Sequence, residues 1–291
     1  MRLQDLTKWL YESTAVRGRD LLIKGFEFSL PYSNFLHQLR PHGLSKSYVQ
    51  RVLDENGVNV TVSSVKPLRA RDGYRNLYYL ITATNGDEEV RYFASRPDIL
   101  IEPLLFLSCY LVDGFKYQTP RARKQKDFED SRYLRQNGVP SVQSVAFDRR
   151  KGVVIEVYEE GKNLARYLED PSYNEDSKVE MCRQALAILR QAQKLGKHSG
   201  DSQAINFLVR TDGKVVIADM EYAFGSAEPI AYERELAKLV FSMTRYVDPS
   251  KIARLAIDSG FPREMVSKIP QYSRLVDSRA RRRVAEAIKE V

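Results

Sequence analysis

The spacing of hydrophobic positions changes near residue 58. Before that point apolar side chains recur at helical intervals, as at Leu6, Trp9 and Leu10, with Pro31 and Pro41 as punctuation. Within HGLSKSYVQRVLDENG (42–57), Ser45 is placed to cap a short helix, Val49, Val52 and Leu53 share one face, and Gly57 ends it. A helix, a glycine-bearing turn and a second helix give the outline of a helix-turn-helix, which many small helical caps share. From Val58 the pattern alternates. VNVTVSSV, LYYLITA and VRYFASRP read as three strands, the first turn containing Gly73 and the second an Asn-Gly pair, a hairpin signal. RKQKDFEDSRYLRQNG (123–138) returns to a helical texture and stops at Gly138, and VPSVQSVAFD and KGVVIEVYEEG read as two more strands. The remainder is mainly helical: SKVEMCRQALAILRQAQKLG (177–196), a loop-and-strand stretch to Phe224, then two or three helices. The expected class is α+β. A helical extension (1–57) precedes a strand-rich lobe (58–158) and a helical lobe (159–291).

The chain has 291 residues, 43% of them apolar and 29% charged, the composition of a globular protein that can bury a substantial core. Its two cysteines, Cys109 and Cys182, are far apart and form neither a disulfide framework nor a zinc signature, which points to a reducing cytoplasm. The first residues, MRLQDLTKWLYEST, carry charge throughout and lack the apolar centre of a signal peptide. ILIEPLLFLSCYLVDGF (99–115) is densely apolar, but Glu102 and Asp113 leave a run of about ten residues against the roughly 20 a bilayer needs. A core or interface segment is expected there, not a membrane span. The net charge of +8 is partly local, in Arg121, Arg123, Lys124 and Lys126 and again in Arg279, Arg281, Arg282 and Arg283. Each run is either a phosphate-attracting patch, for nucleotide or nucleic acid, or a solvated helix face.

Candidate chemistry concentrates in LGKHSGDSQAINFLVRTDGKVVIADMEYAF (195–224). Asp201 lies in a loop after the long helix, Asn206 follows at five residues, and Asp219 ends the apolar run VVIA. A hairpin turning at RTDGK would return Asp219 to the side of Asn206. Phosphoryl transfer needs a carboxylate to orient or deprotonate the attacking hydroxyl, and oxygen ligands for the Mg²⁺ that neutralises phosphate charge. One Asp, an Asn five residues on and an Asp after a strand supply those groups. Taken singly, Asp201 is also a turn residue and Asp219 a strand-end residue.

This stretch resembles the catalytic core of the protein-kinase-like superfamily, closest to its aminoglycoside-phosphotransferase-like and atypical-kinase branches. The resemblance extends upstream through DGYRNLYYL (72–80), YFASRP (92–97), DFEDSRYLRQNGVPSVQSV (127–145) and IEVYEEGKNL (155–164), in the family's order. It implies a bilobal fold binding ATP and Mg²⁺, with Asp201 as catalytic base and Asn206 and Asp219 as metal ligands. It also implies nucleotide contacts at Gly73 and Asn76, a phosphate-binding Arg96 paired with Glu129, for which Asp127 and Asp130 compete on the same helix, and a hinge at Glu156 and Tyr158. Glu221 stands where the aminoglycoside-kinase branch often has an acidic residue. The chain departs from the pattern at Ser199, at Gln203, and at Ser95 and Arg96, where the family carries a lysine. The implied activity is transfer of a γ-phosphate to a hydroxyl of a small molecule or protein. The alternatives are an atypical Ser/Thr kinase linked to RNA or ribosome assembly, or a silent pseudokinase scaffold.

Overall fold

The structure is a computed structural model and describes residues 43–68, 76–97, 119–220, 229–275 and 278–290. Ser45 starts the first helix, α1 (Lys46–Glu55): its Oγ accepts the backbone N–H of Tyr48 at 3.2 Å, satisfying one of the amides a helix start leaves open. Five strands follow in an antiparallel sheet, β1 (Thr61–Leu68), β2 (Asn76–Asn85), β3 (Glu88–Pro97), β4 (Ser144–Asp148) and β5 (Val153–Val157), in the order β1-β2-β3-β5-β4. The Asn-Gly signal marks a real hairpin, with Asn85 paired to Glu88 across Gly86 and Asp87.

Period-two alternation divides this sheet into two faces. One carries Tyr79, Ile81, Ala83, Tyr92, Ala94 and Ile155, which share a single core with Val49, Val52 and Leu53 of α1. The other carries Leu80, Phe93, Ser95, Val154 and Glu156, paired across the β2–β3 and β3–β5 ladders. A second helix, α2 (Pro120–Gln136), packs on β3, β4 and β5, and its Phe128 stacks on Phe147 with ring centroids 5.6 Å apart. Thr119 caps α2 and Pro120 opens it, so it begins three residues before the expected start.

α1 packs directly on the sheet. Its apolar face completes the sheet core, and the Tyr48 hydroxyl donates to the Asp148 carboxylate at the end of β4. The Lys151 ammonium sits 4.2 Å from the centre of the same tyrosine ring. Residues of α1 thus share a core with the strands, while the expected extension (1–57) lies outside the described residues up to residue 42, as does the apolar segment 99–115.

Beyond β5, three short strands, β6 (Gly161–Asn163), β7 (Phe207–Arg210) and β8 (Val215–Ile217), form a second antiparallel sheet. Gly161 is required there: a Cβ on it would lie 2.2 Å from the carbonyl oxygen of Val209. Around this sheet lie α3 (Leu164–Glu169), α4 (Glu175–Lys194), α5 (Pro229–Met243), α6 (Pro249–Asp258), α7 (Arg263–Lys268) and α8 (Ser278–Lys289). The long helix α4 is capped by Asn174, begins with Glu175 and Asp176 and ends with Lys194, a charge order that complements its dipole. Its buried Leu186 and Leu189 join Phe207, Val209, Leu236, Leu239, Val240, Ile252 and Val284 in a second core. No helix among the described residues is long and apolar enough to cross a membrane.

Leu53→Ala tests the attachment of α1. Leu53 is fully buried, and removing it from a shared core should lower unfolding free energy by about 2–5 kcal/mol. Denaturant titration of the full chain should show a shifted midpoint for the sheet-bearing transition. An unchanged midpoint would return α1 to an independent unit.

Candidate functional site

After α4 ends, the chain turns through Gly196 and reaches Gly200 with φ 74°, a left-handed conformation that glycine adopts without strain. This loop is gathered by one carboxylate from α5. Glu235 Oε1 accepts the backbone N–H groups of Ser199 at 2.5 Å and Gly200 at 2.8 Å. It also accepts the hydroxyls of Ser199 at 3.0 Å and Ser202 at 2.9 Å. Glu235 is 2% exposed. A carboxylate at that depth is tolerated because it is surrounded by donors, and the same bonds fix the backbone just before Asp201 and the Ser202 side chain just after it.

The side chain of Asp201 is then held from three directions. Its Oδ1 accepts Gln203 Nε2 at 2.8 Å and faces the Lys238 ammonium at 3.2 Å. Asn206 Nδ2 donates to the Asp201 carbonyl at 2.5 Å and lies 3.5 Å from its Oδ2. Lys238 also donates to the Gly200 carbonyl at 2.7 Å. It stands one turn beyond Glu235 on α5, so one helix face supplies both the anion that binds the loop and a cation beside Asp201. His198, expected to be structural, is buried edge-on to Tyr232.

The expected hairpin forms. Residues Ala204–Asn206 make a single 3₁₀ turn, β7 runs out, and the chain reverses with Arg210 N–H donating to Lys214 C=O at 2.9 Å. β8 then returns, and the Ala218 amide donates to the Asn206 carbonyl at 3.0 Å, which sets Asp219 beside Asn206. Asp201, Asn206 and Asp219 are thus brought together.

A second group of charges meets this one from α2. Asp127 Oδ1 accepts the Met220 amide at 2.9 Å, tying the helix to the residue after Asp219. Lys124, one turn earlier, lies 3.6 Å from Asp127 Oδ2. Asp130, one turn later, bridges Lys126 at 2.8 Å and Lys197 at 2.6 Å, so it joins α2 to the loop leading to Asp201. Across from α2, Glu156 accepts the Ser144 hydroxyl at 3.0 Å. Burial pushes the Glu156 carboxyl up to about 7, against the pull of Lys124 and Ser144, and the negative charge of Asp219 pushes it the same way.

Other expected site residues fall elsewhere. Arg96 and Glu129 do not form the anticipated pair. Arg96 alternates with Ala94 and Tyr92, so it lies on the α1 face of the sheet, opposite Leu77, with its guanidinium 5.9 Å from the ring centre of Tyr79. Glu129 is exposed on α2 and accepts Gln125 Nε2 at 2.7 Å. Tyr158, just past β5, donates its amide to the Arg91 carbonyl and lies beneath the Arg91 guanidinium. Asn76 opens β2, its backbone opposite Pro97, whereas Gly73 and Glu221 lie outside the described residues. The run Arg121–Lys126 is not a single basic patch, because Arg123 and Lys124 are buried and Lys126 is paired. Sequence reasoning missed Glu235 and Lys238, whose positions in the chain carry no local signal; it set Lys124 in a basic run and Asp127 beside Glu129 on one helix without placing either at this contact.

Among the described residues no group of three or more His, Cys, Asp or Glu is placed to hold a metal ion. Mg²⁺ asks for less, taking one or two carboxylates together with waters and phosphate oxygens. The donor chemistry fits that demand: Asp219 offers a carboxylate, and Asn206, whose amide nitrogen is committed to Asp201, offers a carboxamide oxygen. No protein-family model matches the sequence, and no curated protein matches it either.

Two measurements test this electrostatic design. Glu235→Ala would strand buried amide and hydroxyl donors, each worth about 1–3 kcal/mol when left without a partner. Thermal melting should fall clearly, with Glu235→Gln less affected because it keeps an acceptor oxygen. For Glu156 the sign follows from its raised folded pKa: the unfolded chain ionises first, so stability falls as pH rises from near 4.5 to about 7. Glu156→Gln should flatten that part of the stability–pH curve, and an unaltered slope would show that Glu156 does not titrate there.

Proposed function

We propose that the chain is an ATP- and Mg²⁺-dependent phosphotransferase of protein-kinase-like architecture, acting on a hydroxyl of a small molecule or protein. The observation that carries the reading is the convergence of Asp201, Asn206 and Asp219 through the Glu235-bound loop and the β7–β8 hairpin. Asp201 would accept or orient the hydroxyl proton of the acceptor. Its carboxylate is held by Gln203, Asn206 and Lys238, so little reorganisation is needed when the acceptor arrives. Asn206 and Asp219 would hold Mg²⁺, which when bound supplies charge neutralisation at the β- and γ-phosphates. Lys238, beside Asp201, would add positive charge where the transferred group passes. An antiparallel five-stranded sheet followed by a mainly helical half is compatible with the bilobal arrangement this reading requires.

Two variants separate the roles. Asp219→Ala should abolish the magnesium dependence of ATP binding in calorimetric titration. Asp201→Asn should leave ATP affinity within a few-fold of wild type, yet lower phosphate transfer by about 10²–10⁴-fold, the range of a lost general base. ATP binding that Asp219→Ala leaves intact, or turnover that Asp201→Asn leaves intact, would remove the corresponding assignment.

A further inference from the structure

Lys124 is one of two Lys or Arg residues buried among the described residues, and it is 3% exposed. Its neighbour Arg123 is the other. A buried ammonium is expensive unless paired, and Lys124 has Asp127 at 3.6 Å. Three observations locate it. Asp127 accepts the Met220 amide, which puts the pair beside the Asp219 segment. Asp130, further along the same helix, pairs with Lys197 on the approach to Asp201, which turns this face of α2 toward the Asp201 loop. Glu156 and Ser95 project from the same face of the sheet, Glu156 opposite Phe93 and Ser95 opposite Val154 two residues along β3. Ser95 is small and buried; the cation on this face of β3, Arg91, stands four residues back and pairs with Glu160, and Arg96 lies on the opposite face.

Resting on the phosphotransferase reading, we infer that Lys124 of α2 binds the nucleotide's phosphates, taking over from the helix side a role that protein kinases assign to a lysine on the third strand. An ammonium has three donors in tetrahedral array, so it can hold the Asp127 carboxylate and phosphate oxygens together. Its packed stem fixes where the charge sits. Asp127 then does two things: it orients the lysine and anchors α2 to Met220. The space a strand lysine would occupy is left by Ser95.

The test uses the full-length chain and calorimetric titration with Mg-ATP, Mg-ADP and adenosine. Lys124→Met should weaken ATP and ADP at least tenfold and leave adenosine unchanged, since adenosine has no phosphate. Adding Ser95→Lys to Lys124→Met should restore most of the lost affinity by returning the cation to the strand. Wild type provides a check that needs no folded variant. An acyl phosphate of ADP carries a mixed anhydride; attack by a nearby amine forms an amide, breaks the acyl–oxygen bond, expels ADP and releases a proton. Peptide mass mapping should find that acyl group on Lys124, with labelling suppressed by excess ADP.

Acylation confined to other lysines would overturn the assignment, as would Lys124→Met binding ADP like wild type. Equal loss of adenosine would also overturn it, because Lys124 would then only shape the site. If wild type binds ATP and Asp219→Ala weakens it while Lys124→Met does not, the inference falls and the phosphotransferase reading stands. If wild type binds no nucleotide, both fall.

Discussion

One carboxylate oxygen organises the candidate site. Glu235 Oε1 lies within hydrogen-bonding distance of two backbone amides and two hydroxyls of the 199–202 loop, deep in the helical half. Without an anion there, those donors would have to find water in a place where water is scarce, and the loop would relax toward solvent. With it, the peptide before Asp201 is pinned, Gly200 takes its left-handed turn, and the Asp201 side chain emerges at a fixed point. Lys238, on the same helix, meets that side chain from the other side. The geometry of the loop is therefore set by α5, some 36 residues further along the chain.

Around that anchor the molecule is assembled by charge as much as by apolar contact. The two hydrophobic cores are separate clusters, one closed by α1 and the other by α4, α5 and the small sheet. Between them stands α2, whose inward face carries Lys124, Asp127, Asp130 and Ser131 where an ordinary packed helix would carry leucines. Burying the two carboxylates is acceptable because they bind the other half: Asp127 takes a backbone amide and Asp130 takes Lys197. The net effect is a polar seam in which every bond has a definite direction, unlike the interchangeable contacts of an apolar interface.

How much of this was legible in the sequence depends on the range of the interaction. Ser45 as a cap, the Asn85-Gly86 hairpin and the inward set Val49, Val52 and Leu53 follow from neighbours within four residues, and all three read correctly. The Asp201–Asn206–Asp219 constellation was legible too, because one tight turn at Arg210–Lys214 forces its ends together. The alternation of β3 already argued against Arg96: Tyr92 and Ala94 point to the core, so residue 96 follows them and Ser95 takes the other side. The family pattern, which places a cation near that point of β3, outweighed the simpler geometric rule. That α1 covers a sheet was not legible, because a capped amphipathic helix looks the same whether it covers a partner helix or a sheet. Glu235 and Lys238 could not be found locally, nor could the bond of Asp127 to Met220, which spans 93 residues.

The fastening of α2 by Asp127 and Asp130 has a consequence for how the site would meet a ligand. A protein whose binding-competent arrangement is a minor species has its apparent affinity reduced in proportion to that population. Here the helix bearing Lys124 is already joined to Met220 on one side of Asp219 and to Lys197 on the approach to Asp201. On the proposed nucleotide-binding reading, a ligand would meet this helix already in place, and no fraction of its affinity would be lost to recruiting it. Under the same reading, an effector that acts by swinging such a helix inward would have nothing left to shift, and regulation would have to work by pulling the seam apart.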